Sequence, residues 1–351
     1  MDAFGFLAGG GDTIGVAVSG GSDSMALLVL AVDFAKRRGA LCHAVTVDHG
    51  LRPEAAQEAK TVARACGDMG ITHTTLKWRR TADEPVSQED ARRARHRLLA
   101  QWTEKHDIDA LALGHTRDDR LETFLMRARQ GSGWYGLAGL MPDGFSPVWP
   151  EGRMLPLIRP LLAFGREELR EELRARGISW MEDPSNDASR FERVRMRRLL
   201  ARMDSKAQEK ALRVMDRLIS VRAGVMAEAE SLLRHVRHDA DEREADIRLD
   251  ARGMVGAEAW RRFVEAHVMA AGGQERPPRR DALDRLLVRI AGRDAELARG
   301  VTLAGAKIRI RDGAFLCFSQ APPRRGAQRS RRDWGRAGTL LHAPDLRPLS
   351  V

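Results

Sequence analysis

Cysteine is scarce: Cys42, Cys66 and Cys317 stand far apart, with no CxxC pair. That excludes a disulfide frame and a cysteine-held metal cluster, and it suits a reducing compartment. Long apolar runs are missing as well. The stretch Met25–Val32 is among the longest, and it is far too short to span a bilayer. The N-terminus, MDAFGFLAGGGD, lacks the cationic start of a secretory signal. No internal repeat is found. With 43% hydrophobic and 31% charged residues, the chain reads as an ordinary globular protein of the cytoplasm, with no membrane partner.

What is present begins with length and charge. A chain of 351 residues has room for two domains and a tail. Its net charge of +10 is uneven, with +2 over residues 1–203 and +8 over 204–351. A basic C-terminal part points to a polyanion such as nucleic acid, or to a solvated Arg-rich face.

Three segments share one script: an apolar strand, a polar loop, then a helix. They are TIGVAV (13–18) with SGGSDS, LCHAVTV (41–47) with DHGLRPE, and IDALAL (108–113) with GHTRDD. Alternation of this kind predicts an α/β fold, a doubly wound parallel sheet covered on both faces. Ligands of such sheets bind outside the carboxyl ends of the strands, so the three loops are expected to face one site. REELREELRARG (166–177) reads as a helix. From about 205 the apolar spacing turns helical, with Asp312-Gly313 as a hairpin signal inside KIRIRDGAFLCF (307–318). The expected division is a catalytic domain over 1–203, a mainly helical domain over 204–320, and a basic, flexible Pro/Arg-rich tail over 321–351.

The loop Ser19–Ser24 has the position and composition of a phosphate cradle. Gly20 and Gly21 allow close backbone approach, the hydroxyls of Ser19, Ser22 and Ser24 add donors, and the helix start favours an anion. The triplet Gly9–Gly11 precedes its strand and is wrongly placed for this. The loop is not a Walker A loop, because the lysine of GxxxxGK[ST] is absent. Asp23 stands in its place, and beside phosphates it needs a divalent cation such as Mg²⁺. A helix cap is the alternative reading of an isolated turn of this kind.

In the third loop His115 precedes Asp118, Asp119 and Glu122, and spacings of three and four put the acids on one helix face. Clustered carboxylates repel and call for a cation, either Mg²⁺ or a substrate ammonium. Thr116 and Asp119 also have capping-box spacing. One histidine and no cysteine do not make a zinc site.

SGGSDS resembles the signature of the PP-loop, or N-type ATP pyrophosphatase, superfamily. VDHGLR (47–52) and HTRDDRLET (115–123) resemble the tRNA(Ile)-lysidine synthetase branch, which has HxxDDxxET at the second of these positions. RQGSGWYGLAGL (129–140), RPLL (159–162) and WMEDPSN (180–186) extend the likeness, and TLAGAKIRIRDG (302–313) continues it more weakly. Two departures stand out: His96 replaces the tyrosine of the ARxxRY element, and Val194 the asparagine of RNxxR. Arg92, Arg95, Arg193 and Arg197 keep their places. Many members continue into a further C-terminal domain, where this chain has its basic tail.

The resemblance implies ATP and Mg²⁺ as cofactors, and free L-lysine and the CAU-anticodon isoleucine tRNA as partners; the sequence does not fix the oligomeric state, and a homodimer is one option. It implies ATP binding by Ser19–Ser24 with Asp48 and His49 near the base, and a metal contact from Asp23. Asp119 and Glu122 would meet the lysine amine, with His115 and Asp118 in support, and Arg92, Arg95, Arg193 and Arg197 would meet tRNA. The reaction it implies is attachment of lysine to C2 of the wobble cytidine through an adenylated base. A PP-loop thiolase or amide-forming synthetase is the competing reading, though thiolation calls for relay or cluster cysteines. A non-catalytic RNA-binding protein on the same fold is the other, and the complete loop strings argue against it.

Overall fold

β1 (Thr13–Ala17) is short and apolar, with Ile14 and Val16 wholly buried. α1 (Ser22–Arg38) follows it, starting at Gly21 and ending at Gly39, whose φ of 69° gives the left-handed stop that glycine tolerates. Lys36, Arg37 and Arg38 in its last turn complement the helix dipole. A computed structural model describes residues 12–50, 54–78, 87–149, 151–152, 154–182, 191–241, 243–322, 333–334, 337 and 340–341.

The first unit continues with β2 (Leu41–Asp48), α2 (Glu54–Asp68), β3 (Thr72–Lys77), α3 (Gln88–Lys105) and β4 (Ala110–Ala112). Then come α4 (Arg117–Arg129), α5 (Trp134–Leu137), β5 (Asp143–Phe145), β6 (Pro156–Ile158), α6 (Arg166–Ala175), α7 (Phe191–Leu200) and α8 (Ser205–Ser231). Six strands form one sheet in the order β3-β2-β1-β4-β6-β5. All pairs are parallel except β5 with β6. One face is closed by α1, α2 and α6 through Leu27, Leu28, Val62, Leu169 and Leu173. The other is closed by α3 through Leu99 and Trp102. The doubly wound parallel sheet expected from the alternation is therefore present.

Strand order reverses between β1 and β4, which makes a topological switch point. The loop SGGSDS leaves β1 and the loop GHTRDD leaves β4, so the two flank it. Gly114 brings them into contact: a Cβ there would lie 3.2 Å from the Asp23 carbonyl and the Ser24 nitrogen.

The chain divides into two compact units, Met1–Ile219 and Ser220–Val351, and the division falls inside α8. The second unit adds β7 (Arg237–His238), β8 (Glu244–Arg248), α9 (Ala257–Gly272), α10 (Arg280–Ala291) and α11 (Glu296–Arg299). It closes with β9 (Val301–Leu303), β10 (Ala306–Arg311) and β11 (Phe315–Gln320), in an antiparallel sheet ordered β7-β8-β11-β10-β9. The Asp312-Gly313 hairpin forms, both residues at positive φ (51° and 64°). Around it stands a five-stranded sheet, where the spacing had suggested helices with a single hairpin. β8 hides its strand character behind charge. Ala245 and Ile247 point into the core, while Glu244 and Asp246 bond across the sheet to Arg309 and Arg311 at 2.5–2.9 Å. Most of the tail over 321–351 lies outside the described residues; within it Asp333, Ala337 and Leu341 are buried. No described helix is long and apolar enough to cross a membrane.

Candidate active site

The first loop is tied to itself by its hydroxyls. Ser24 Oγ accepts from the Ser19 nitrogen (3.1 Å), lies 3.2 Å from Ser19 Oγ, and donates to the Gly21 carbonyl (3.0 Å). Gly20 has a φ of 89°, and its carbonyl accepts from the Met181 nitrogen at 2.9 Å. The first N–H groups of α1 have no acceptor within the helix, so they are available to an anion. Phosphate-cradle geometry and helix start coincide here.

Asp23 turns from that loop toward the third one. Its Oδ1 accepts from Ser22 Oγ and its Oδ2 from Arg166 Nε, both at 3.2 Å. Burial pushes Asp23 above the usual carboxylate range, with Asp119 acting in the same direction and Arg166 opposing them.

α4 starts with the capping box that Thr116 and Asp119 suggested. Asp119 Oδ2 accepts from the Thr116 nitrogen at 2.8 Å, and its Oδ1 accepts from Arg166 Nη2 at 2.6 Å. Burial works against its charge, yet Arg166, the Thr116 bonds and His115 hold Asp119 below the ordinary value. Asp118 Oδ2 accepts from the Arg166 nitrogen at 2.9 Å. Glu122 is 1% exposed. Its Oε1 accepts from Arg166 Nη1 (2.8 Å) and Arg197 Nε (2.9 Å), whereas its buried Oε2 has no hydrogen-bond partner.

Asp23 of the first loop and Asp118, Asp119 and Glu122 of the third thus meet around Arg166, which reading the sequence had placed only in a helix. The signal was its position. Arg166 is the first residue of α6, after Gly165, where the helix dipole disfavours a cation. Burial opposes its charge too, but Asp119, Glu122 and Asp23 hold its guanidinium above its ordinary value. One turn on, Arg170 Nε lies 3.4 Å from Ser22 Oγ, which puts a second unanticipated cation beside the first loop.

The remaining predicted residues are spread more widely. Asp48 Oδ1 accepts from the Gly50 nitrogen at 2.9 Å. The His49 ring stands edge-on to Trp78 with centroids 6.2 Å apart, and its buried Nδ1 has no hydrogen-bond partner. Burial and Arg95 push His49 down. Arg92 and Arg95 are exposed on α3. Next to them His96, pushed down to about 3 by burial and neighbouring arginines, sits with Nδ1 2.7 Å from Ser146 Oγ. Arg197 pairs with Glu122, and the Arg193 side chain lies outside the described residues.

A phosphate cradle and a carboxylate nest at the switch point of a doubly wound sheet define a nucleotide-using class. Accordingly, residues 8–203 match the family model of the PP-loop domain. The chain is 46% identical over 298 residues to a tRNA(Ile)-lysidine synthase of Hyphomonas neptunium, covering 85% of this chain and 79% of that one. It is 38% identical over 305 residues to one of Ruegeria pomeroyi, covering 85% and 70%. Among solved structures, the U34-tRNA thiolase NcsA of Methanococcus maripaludis shares the fold, with a TM-score of 0.53 and 15% identity over 62% of this chain and 76% of that one. The chain belongs to the tRNA(Ile)-lysidine synthase family of PP-loop proteins.

Proposed function

We propose that the protein is an ATP-dependent ligase that joins lysine to C2 of the wobble cytidine in a CAU-anticodon isoleucine tRNA. The observation that carries this reading is the meeting of the first and third loops in one nest of carboxylates beside a phosphate cradle. In the first step the cytidine O2 attacks the α-phosphate of ATP, pyrophosphate leaves, and the base is adenylated. In the second, the ε-amine of lysine attacks C2, and AMP departs with the former O2. Adenylation turns a poor leaving group into a good one, and the amine must lose a proton before it attacks.

Ser19–Ser24 hold the triphosphate in this reading, with Arg170 near the leaving pyrophosphate and His49 near the base. Asp119, held ionised by Arg166, is a weak base and suits binding of the ammonium. Glu122 shares that role, with one oxygen left bare for the amine. His115 and Asp118 support that corner. Mg²⁺ fits Asp23, whose two contacts at 3.2 Å are loose enough to be exchanged. Mg²⁺ binds through one or two carboxylates together with phosphate oxygens. When bound, it neutralises phosphate charge.

Arg92, Arg95, Arg193 and the basic parts over 204–320 and 321–351 are assigned to tRNA phosphates, and the unstacked anticodon bases to direct readout. A homodimer belongs to the same reading and is checked by light scattering. A thiolase is not favoured. Burial pushes Cys42 and Cys66 up to about 12 and about 11, and Cys317 lies in the other unit.

The deciding experiment supplies ATP and labelled lysine with a panel of tRNA transcripts. Label confined to the CAU-anticodon isoleucine tRNA, with pyrophosphate released in equal amount, is the expected result. Label in no transcript overturns the reading.

A further inference from the structure

Arg166 touches carboxylates of both loops and offsets part of their charge. Three carboxylates, those of Asp23, Asp119 and Glu122, meet the guanidinium of Arg166, Arg197 joins at Glu122, and Asp118 binds the Arg166 backbone nitrogen. Three guanidinium nitrogens of Arg166 each take a different carboxylate, at 3.2, 2.8 and 2.6 Å, and its backbone nitrogen takes the fourth. Two arginines crowd onto Glu122 Oε1, while Oε2 stays buried and bare. A bare buried carboxylate oxygen is costly, and a cationic donor arriving there removes the cost.

We propose that Arg166 is a positioning residue for lysine: it holds Asp119 and Glu122 on one fork and so presents Glu122 Oε2 to the incoming ammonium. This rests on the ligase reading above. Among the described residues the nest's carboxylates outnumber its guanidiniums, and a cationic substrate beside Mg²⁺ at Asp23 makes up the difference. A planar guanidinium can serve three separate carboxylates at fixed angles, and an ammonium, a point charge on a flexible stem, cannot. Charge alone at position 166 is therefore insufficient.

Lysine incorporation into the CAU-anticodon transcript by the full chain tests this. Wild-type protein is assayed first, and its failure to incorporate lysine removes the ligase reading itself. With an active wild type, Arg166→Ala is expected to raise the KM for lysine by about tenfold or more while the KM for ATP moves less than about threefold. Arg166→Lys is expected to fall between the two proteins. Millimolar methylguanidinium restores lysine use to Arg166→Ala but not to Arg166→Lys. If Arg166→Ala does not fold, as judged by its melting curve, Arg166→Gln takes its place in the same comparison. An unchanged KM for lysine overturns the proposal. So do equal losses for lysine and ATP without rescue, and an Arg166→Lys protein that matches wild type.

Discussion

Asp119 combines two duties that can be separated by substitution. One oxygen closes the α4 capping box and the other holds Arg166. Asparagine keeps an oxygen for the Thr116 nitrogen but brings no charge, and alanine removes both. Asp119→Ala should therefore lose about 1 kcal/mol more stability than Asp119→Asn, the usual worth of a cap. Both should lose lysine incorporation, so denaturant melts would separate two variants that turnover does not. His267 carries a second residue-level prediction. It is buried in α9, donates from Nδ1 to the Phe263 carbonyl at 2.8 Å, and is pushed down to about 4 by burial. Its folded value lies below the unfolded 6.5, so the unfolded chain binds the proton first on acidification. Stability is intact above about pH 6.5 and falls as pH drops toward 4, by up to about 3 kcal/mol. Urea melts at pH 7.5 and pH 5 should differ less for His267→Gln than for wild type.

Among the elements of the second unit, α9 packs tightly against the turn joining β9 to β10. A Cβ on Gly272, the last residue of α9, would lie 2.0 Å from the Ala304 carbonyl oxygen and 3.0 Å from the Ala306 nitrogen. Backbone cannot step aside as a side chain can. Gly272→Ala should cost about 3 kcal/mol, the upper end of ordinary overpacking, seen as a lower urea midpoint. What could be read from residues follows the same distinction between local and remote causes. β1, β2 and β4 were legible because their apolar runs end in polar loops, and the α4 cap because its partners lie three residues apart. β8 was not, since its carboxylates are satisfied by Arg309 and Arg311, more than sixty positions away in the chain. Arg166 went unread for a similar reason: only folding brings it to Asp23, 143 positions earlier. Local spacing cannot report such pairs, although a cation at a helix start is a clue worth following.

At the scale of the molecule, charge is spread unevenly along the chain. The second part of the chain carries most of the +10, and binding to tRNA should weaken steeply as salt rises, through counterion release. Arg92 and Arg95, exposed on α3, are assigned to phosphates. Replacing either with alanine should lower the slope of log affinity against log salt by about 1 and weaken all tRNAs alike. A filter-binding series at several salt concentrations checks it, and a loss restricted to the isoleucine tRNA would instead mark base readout.

The order in which the nest is made along the chain has a consequence for biosynthesis. The carboxylates at positions 23, 118, 119 and 122 leave the ribosome before the guanidinium at 166 that joins them. Until α6 has been made, Asp23, Asp119 and Glu122 lack the guanidinium that joins them.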